Sequence, residues 1–210
     1  MMNKLDLDFI NIKEVQKSEL ASLHLRYLPT PFSGSPGSKL LELYYRVLSE
    51  ESSAFGIAAV LNGTTVGFAC AVGNAHFLQE RLVKRFPFLI LYWAFRQILY
   101  KPKILVRLLK RLINPGSKET RSWQCSADLI NWYTYRPVVV EEQHRKYRIA
   151  DSLTKLLIEE AERRQVPGII AIVEQSNTRS LRHFSRHNFF ELCKVHSTTV
   201  LIKSLSNQLR

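Results

Sequence analysis

The sequence predicts a mixed α/β (α+β) fold, a central sheet covered by helices, and three observations carry that expectation. FGIAAVLNGTTVGFACAV contains two apolar, strand-like runs joined by Asn62-Gly63, a pair that accepts the positive backbone angles of a tight hairpin turn. The run from Val138 to Ala161 passes from β-branched residues through a polar turn into an amphipathic helix. Beyond it, strand and helix alternate as far as Ile202.

In chain order, residues 6–12 alternate loosely enough for an opening strand. A helix then runs to about residue 26 and stops before Pro29. Residues 30–37 hold two prolines and two glycines and predict a loop. Helical spacing resumes with Leu40, Leu41, Tyr44, Val47 and Leu48 on one broad side and Ser38 as the cap. The hairpin follows, as strands Phe55 to Leu61 and Thr65 to Val72. Short helices are expected over 75–113, punctuated by Pro87, Pro102 and Pro115. Strand character returns from Leu129 to Val140. The helix after it places Ala150, Leu153, Leu157 and Ala161 on one face. GIIAIVE (168–174) reads as a mid-sheet strand covered on both faces, residues 177–187 as a helix, and Cys193 to Ile202 as a last strand. A single domain spanning 1–210 with a helical insertion over 76–125 accommodates all of these.

The chain has 210 residues and a formal net charge of +12. That excess favours an acidic partner: a phosphorylated cofactor, an acidic acyl carrier protein, an anionic membrane surface or nucleic acid. Nucleic acid is disfavoured, because the basic residues are scattered and form no recognition module. Cys70, Cys125 and Cys193 form no CxxC pair and read as reduced cysteines, with Cys70 and Cys193 expected to be buried. The first residues carry acids and no long apolar run, so no secretion signal is read and a cytoplasmic location is expected.

Val66-Gly67-Phe68 after the hairpin turn, Arg145-Lys146-Tyr147-Arg148-Ile149-Ala150 after the strand at Val138, and Asn177…Phe184…Asn188-Phe189 near the end resemble, in order and spacing, the GCN5-related N-acetyltransferase (GNAT) superfamily. The resemblance covers most of the chain outside about 76–125. It implies a sheet that splays between the strand ending near Val140 and the strand at 168–174, with an acyl-coenzyme A arm in the gap. Val138, Val139 and Val140 would pair with the pantetheine, and backbone N–H groups from Arg145 to Ala150, including Lys146, Tyr147, Arg148 and Ile149, would meet the diphosphate. Asn177 and Phe184 complete the implied cofactor set. This chain departs from the family where Arg148 replaces a glycine, where Phe184 replaces a frequent tyrosine acid, and where Asn188 replaces a glycine. Phenylalanine has no proton to donate. Asparagine tolerates a left-handed turn.

Acyl transfer to an amine needs an oxyanion donor and a route for the ammonium proton. The backbone N–H of Val139 or Val140 is the candidate donor. His24, Tyr133 and Tyr135 are the candidate base or positioning groups, with Asp128 and Glu141 as acidic alternatives better suited to surface roles. His183 and His187 lie four apart as a metal pair would, but no third ligand shows in the sequence, arginines surround them, and a basic surface is the preferred reading; no metal is predicted. PFLILYWAF (87–95) has no charged residue and lies between basic stretches. Burial is favoured for it, with a ligand wall or an interfacial segment beside anionic lipid as alternatives. The resulting expectation is an N-acyltransferase that uses acyl-coenzyme A or an acyl carrier protein and an amine-bearing small molecule or lipid-like acceptor. An ordinary acetyltransferase of small polar amines and a non-catalytic binding protein of the same fold are the alternatives.

Overall fold

The computed structural model describes residues 7–28, 35–73, 75–100, 129 and 131–205. Seven strands form one sheet in the order β1-β2-β3-β4-β5-β7-β6. They are β1 (Leu7–Asn11), β2 (Ala54–Leu61), β3 (Thr64–Val72), β4 (Tyr133–Val140), β5 (Gly168–Glu174), β6 (Phe190–Val195) and β7 (Thr198–Ser204). The helices are α1 (Lys17–Tyr27), α2 (Ser35–Glu50), α3 (Ala75–Arg85), α4 (Pro87–Tyr100), α5 (Ile149–Arg163) and α6 (Thr178–Arg186). All neighbouring strands are antiparallel except β4 and β5, which are parallel.

The apolar residues fill two layers. On one face, Leu153, Leu157 and Ala161 of α5 pack with Phe55, Ala71, Ile169 and Leu201 of the sheet. On the other, Leu20 and Leu23 of α1 and Leu41, Tyr45 and Leu48 of α2 pack on Ala58, Phe68, Cys70 and Val72. A sheet covered by helices on both faces is the predicted architecture. The hairpin turn falls at Asn62-Gly63, with φ of 50° and 75° as such a turn requires.

Four expectations change. Ser38 lies inside α2, which already begins at Ser35; the rest of the predicted 30–37 loop lies outside the described residues. The last strand is a hairpin, β6 and β7, turning at His196 with φ 54°. No glycine, proline or asparagine marks that turn in the sequence. Ile172 of β5 is 43% exposed and Cys193 is half-buried, so the outer face near the β6 edge is incompletely covered. The 87–95 run is a helix as expected but not a buried one: Phe88, Leu91, Tyr92 and Phe95 of α4 stand 85%, 68%, 54% and 59% exposed. Of the predicted insertion, residues 101–125 lie outside the described residues, as do Asp128 and Cys125.

Candidate functional site

The sheet opens at one seam. β4 and β5 share only two partner pairs, Tyr133 with Ile169 and Thr134 with Ile170, and then part. On its other edge β4 carries a bulge: Cys70 faces Arg136 and Phe68 faces Val139, leaving Pro137 and Val138 opposite one residue of β3. Pro137 has no N–H for a ladder, which suits it to this place. Gly67 is fixed by the same feature, because a Cβ there would stand 2.8 Å from the Val139 carbonyl oxygen. The bulge also swaps faces. Tyr133 and Tyr135 belong to the layer under α5, whereas Val139 belongs to the layer under α1 and α2 and Val140 returns to the first.

A cleft of about 450 Å³ occupies the seam. Val138, Val139, Val140 and Ala150 form one wall, Asn177, Arg179, Ser180 and Arg186 the other, and Tyr27 and Leu28 close the end beside α1. After β4 the chain makes a single 3-10 segment, Glu142–Tyr147, and enters α5 through Arg148 in the left-handed region at φ 58°. That is the conformation a glycine adopts freely, so the arginine keeps the glycine's backbone path. Its carbonyl accepts from Asp151 N–H (2.9 Å) and Ser152 N–H (3.2 Å), and its own N–H turns inward to the Arg145 carbonyl (3.3 Å). The Arg148 side chain is 74% exposed and leaves the cleft open.

Four arginines, Arg145, Arg148, Arg179 and Arg186, line this cleft with one carboxylate, Asp151. Asp151 is the organising group. Its Oδ2 accepts from Arg148 (3.1 Å), its Oδ1 from His183 Nδ1 (3.1 Å) and His187 Nε2 (3.3 Å), and the Arg186 guanidinium forms an ion pair with Oδ1 at 3.3 Å. Desolvation raises the carboxyl's pKa, but the bonds from Arg148 and His187 and the Arg186 charge outweigh it, and the group is held below its ordinary range. His183 is buried, and burial, with His187 nearby, lowers its pKa from 6.5 to about 4. A neutral His183 must donate from Nδ1 to the carboxylate, so Nε2 accepts from the Thr154 hydroxyl (2.8 Å). Thr154 in turn accepts from Tyr135 (2.8 Å). One directed chain therefore runs Tyr135, Thr154, His183, Asp151, from the core to the cleft wall.

The predicted residues fall into three groups. Val138, Val139, Val140, Arg145, Arg148, Ala150 and Asn177 meet at the cleft. Asn177 also caps α6 by accepting from Ser180 N–H at 3.0 Å. Ile149 and Phe184 are buried in the layer under α5, and Phe184 packs edge-on against Tyr135 at 5.1 Å. Lys146 and Tyr147 are exposed, the ammonium 5.0 Å from the ring centroid. Among the candidate base and positioning groups, Tyr133 packs on Phe55 at 5.5 Å and Tyr135 is buried in the chain just described. His24 lies on the other face, where its Nδ1 and the Tyr45 hydroxyl share a hydrogen bond of 2.7 Å; burial lowers the histidine's pKa and raises the phenol's, which favours the neutral form of both. Glu141 is no surface acid: its side chain is 13% exposed beside Arg26 (3.4 Å) and His144 (3.2 Å).

The helix of the histidine pair carries the expected basic surface, with Arg179, Arg182 and Arg186 exposed, but His183 and His187 themselves turn to Asp151, the third donor atom that sequence spacing did not reveal, all within 4.8 Å. Two guanidiniums on the same carboxylate oppose a cation there, and Thr154 occupies the remaining His183 nitrogen. Sequence reasoning also missed Asp151, Thr154 and Ser180. Asp151 in the first turn of a helix that follows a basic loop was the one available signal.

No family model matches the sequence, and no curated protein is similar to it. Solved structures are similar along their whole length. A GNAT-family acetyltransferase from Streptococcus pneumoniae superimposes with a TM-score of 0.57 over 96% of this chain and 100% of its own, at 13% identity. This chain has the GNAT fold. The ribosomal-protein-S18-alanine N-acetyltransferase of Escherichia coli shares that fold at TM-score 0.55 and 12% identity, over 97% of this chain and 99% of its own. Aminoglycoside 6'-acetyltransferase type Ii does so at 0.56 and 13%, over 96% and 98%. The splayed β4–β5 seam is the element of the GNAT fold that the cleft occupies.

Proposed function

We propose that this chain is an acyl-coenzyme A-dependent N-acyltransferase that moves an acyl group to a primary amine, with a long-chain donor or a lipid-like acceptor. The observation that carries the reading is the seam: β4 parts from β5 after Thr134, leaving its edge along Val138 to Val140 facing a cleft whose mouth holds four arginines. Those residues fit the cofactor. An open strand edge suits the amide groups of a pantetheine arm, and guanidiniums beside the first turn of α5 suit its phosphates.

When bound, the cofactor supplies a thioester. The chain's own parts then bind, orient and stabilise. Arg145 is tethered by its Nε to the Val140 carbonyl (3.3 Å) and stacks over Tyr27 at 5.6 Å, which holds its charge at the cleft rim. Arg148 and Arg186 are aimed by Asp151. The N–H of Val140 is the donor assigned to the developing oxyanion, because it lies on the seam side of β4 with the carbonyl that Arg145 meets, whereas Val139 faces β3, as Glu141 does in donating to Val66 (2.9 Å). Phe184 cannot protonate the departing thiolate, and a thiol with an ordinary pKa near 8.5 leaves as the anion without that help. His24, in the tautomer that donates from Nδ1 to the Tyr45 hydroxyl and leaves Nε2 free, is the assigned base, acting through water because it does not line the cleft. A hydrophobic donor or acceptor is supported by α4, whose exposed apolar face exceeds what an acetyl group requires.

Titration calorimetry with acetyl-, octanoyl- and palmitoyl-coenzyme A tests this. Affinity that rises with chain length supports the reading. Tight binding of acetyl-coenzyme A without such a rise replaces it with transfer to a small polar amine. No binding of any leaves a non-catalytic member of the fold, the outcome to which Phe184 would then point.

A further inference from the structure

From the exposed face of α4 we infer a peripheral membrane-docking surface that inserts into the headgroup region of an anionic bilayer. Phe88, Leu91, Tyr92 and Phe95 follow one another at helical spacings of three and four, so they share one side of the helix. They stand between 54% and 85% exposed, whereas the large apolar residues of α1 and α2 are mostly buried. In the preceding helix Val83 is likewise 52% exposed, and Lys84, its side chain 80% exposed, stands next to it in sequence. The face is a ridge of protruding side chains. A ridge of this kind enters the soft boundary between headgroups and acyl chains without a complementary groove.

Charge identifies the occupant. Residues 81–118 contain ten Lys/Arg, three from 81 to 85, six from 96 to 111 and Lys118, with no Asp or Glu. The remainder of the chain holds twenty Lys/Arg against eighteen Asp/Glu, by subtraction from thirty and eighteen. Ten of the twelve excess charges therefore belong to the stretch that carries the exposed apolar helix. A second copy seated on this face would set two such basic stretches against each other. An anionic bilayer neutralises them. At 14 residues α4 is too short to cross a bilayer, and among the described residues no helix is long and apolar enough to do so.

The test uses the full chain and reads binding without activity, so it can fail while the transferase reading stands, and the reverse. Sedimentation with vesicles of phosphatidylcholine alone and with about one-third phosphatidylglycerol is the measurement. Binding to the anionic vesicles only, weakened by salt and lowered about tenfold or more by Phe88→Ser/Leu91→Ser/Phe95→Ser with an unchanged melting temperature, is the expected result. Three results overturn it: no vesicle binding, equal binding to both compositions, or full binding by the triple variant. A parent dimer that the triple variant dissolves assigns the face to a second copy instead. A large drop in melting temperature shows that the chain itself covers the face, and also overturns the inference. Should the triple variant fail to fold, Phe88→Trp keeps the question open to measurement. Its added emission is expected to be quenched by brominated acyl chains, and unquenched emission overturns the inference.

Discussion

At the scale of single residues, two positions decide how the cleft at the seam is held. Arg148 adopts φ 58°, a region that costs a residue with a Cβ about 1 kcal/mol or more. Its guanidinium gains little in return, because a pair this exposed to solvent is screened. Arg148→Gly is therefore expected to be more stable than Arg148→Ala by about 1 kcal/mol in urea unfolding, since both lose the guanidinium and only glycine relieves the backbone. Equal stabilities would show the turn to be unstrained. His183 sets a pH dependence. Its folded pKa of about 4 lies below the ordinary 6.5, so between those values the unfolded chain binds more protons and stability rises with pH. Its contribution is complete above pH 6.5 and is lost as pH falls towards 4, an effect of roughly 3 kcal/mol at most. Asp151, His187 and Arg186 face the same ring. His183→Gln is expected to flatten the stability profile between pH 4 and 6.5; an unchanged slope would assign it to other groups.

At the scale of elements, the bulge in β4 is the part on which the cleft depends. It ends the ladder that would otherwise carry Tyr135 and Val139 on one face, and it directs Val138 to Val140 at the seam. Gly67→Ala places a methyl group against the Val139 carbonyl, and the neighbour there is backbone, which cannot swing aside. That substitution is expected to weaken coenzyme A binding by at least about tenfold while far-ultraviolet dichroism is unchanged, because the strain falls on β4 alone. Undiminished affinity would separate the bulge from the cofactor. The sequence carried the elements well where periodicity was strong, as in α5, whose Leu153, Leu157 and Ala161 were assigned to the core and are buried there. It carried β4 less well. Pro137 inside an apolar run was the available mark of a bulge, but a proline in a strand also fits an edge, and only pairing with β3 distinguishes the two. The β6–β7 turn was hidden for a related reason, since His196 takes a positive φ without the residues that advertise one. Burial of α4 was mispredicted because an uncharged run looks the same whether it faces a core or stands exposed.

At the scale of the whole molecule, the sheet consists of two halves, β1 to β4 and β5 to β7, joined by only two strand-partner pairs. Two cross-links bridge them at the cleft: the chain from Tyr135 on β4 through Thr154 to His183 on α6, and the contacts of Asp151 with Arg148 on one side and Arg186 on the other. None of these contacts was legible in the sequence, because they join residues separated by 19 to 35 positions or lie on a turn whose direction is set by tertiary packing. A ligand seated in the cleft touches both halves and supplies the joint that the strands omit. Coenzyme A at about one hundred times its dissociation constant adds roughly 2.7 kcal/mol to the folded state. For a chain of this length that amounts to a rise in melting temperature of roughly 5–10 °C. Amide exchange should slow along Val138 to Val140 and in the first turns of α5 and α6, the segments facing the cleft, and remain unchanged in β1 and β2. A rise in melting temperature without that local pattern would mean that the cofactor binds elsewhere on this basic surface, and the seam would no longer be its site.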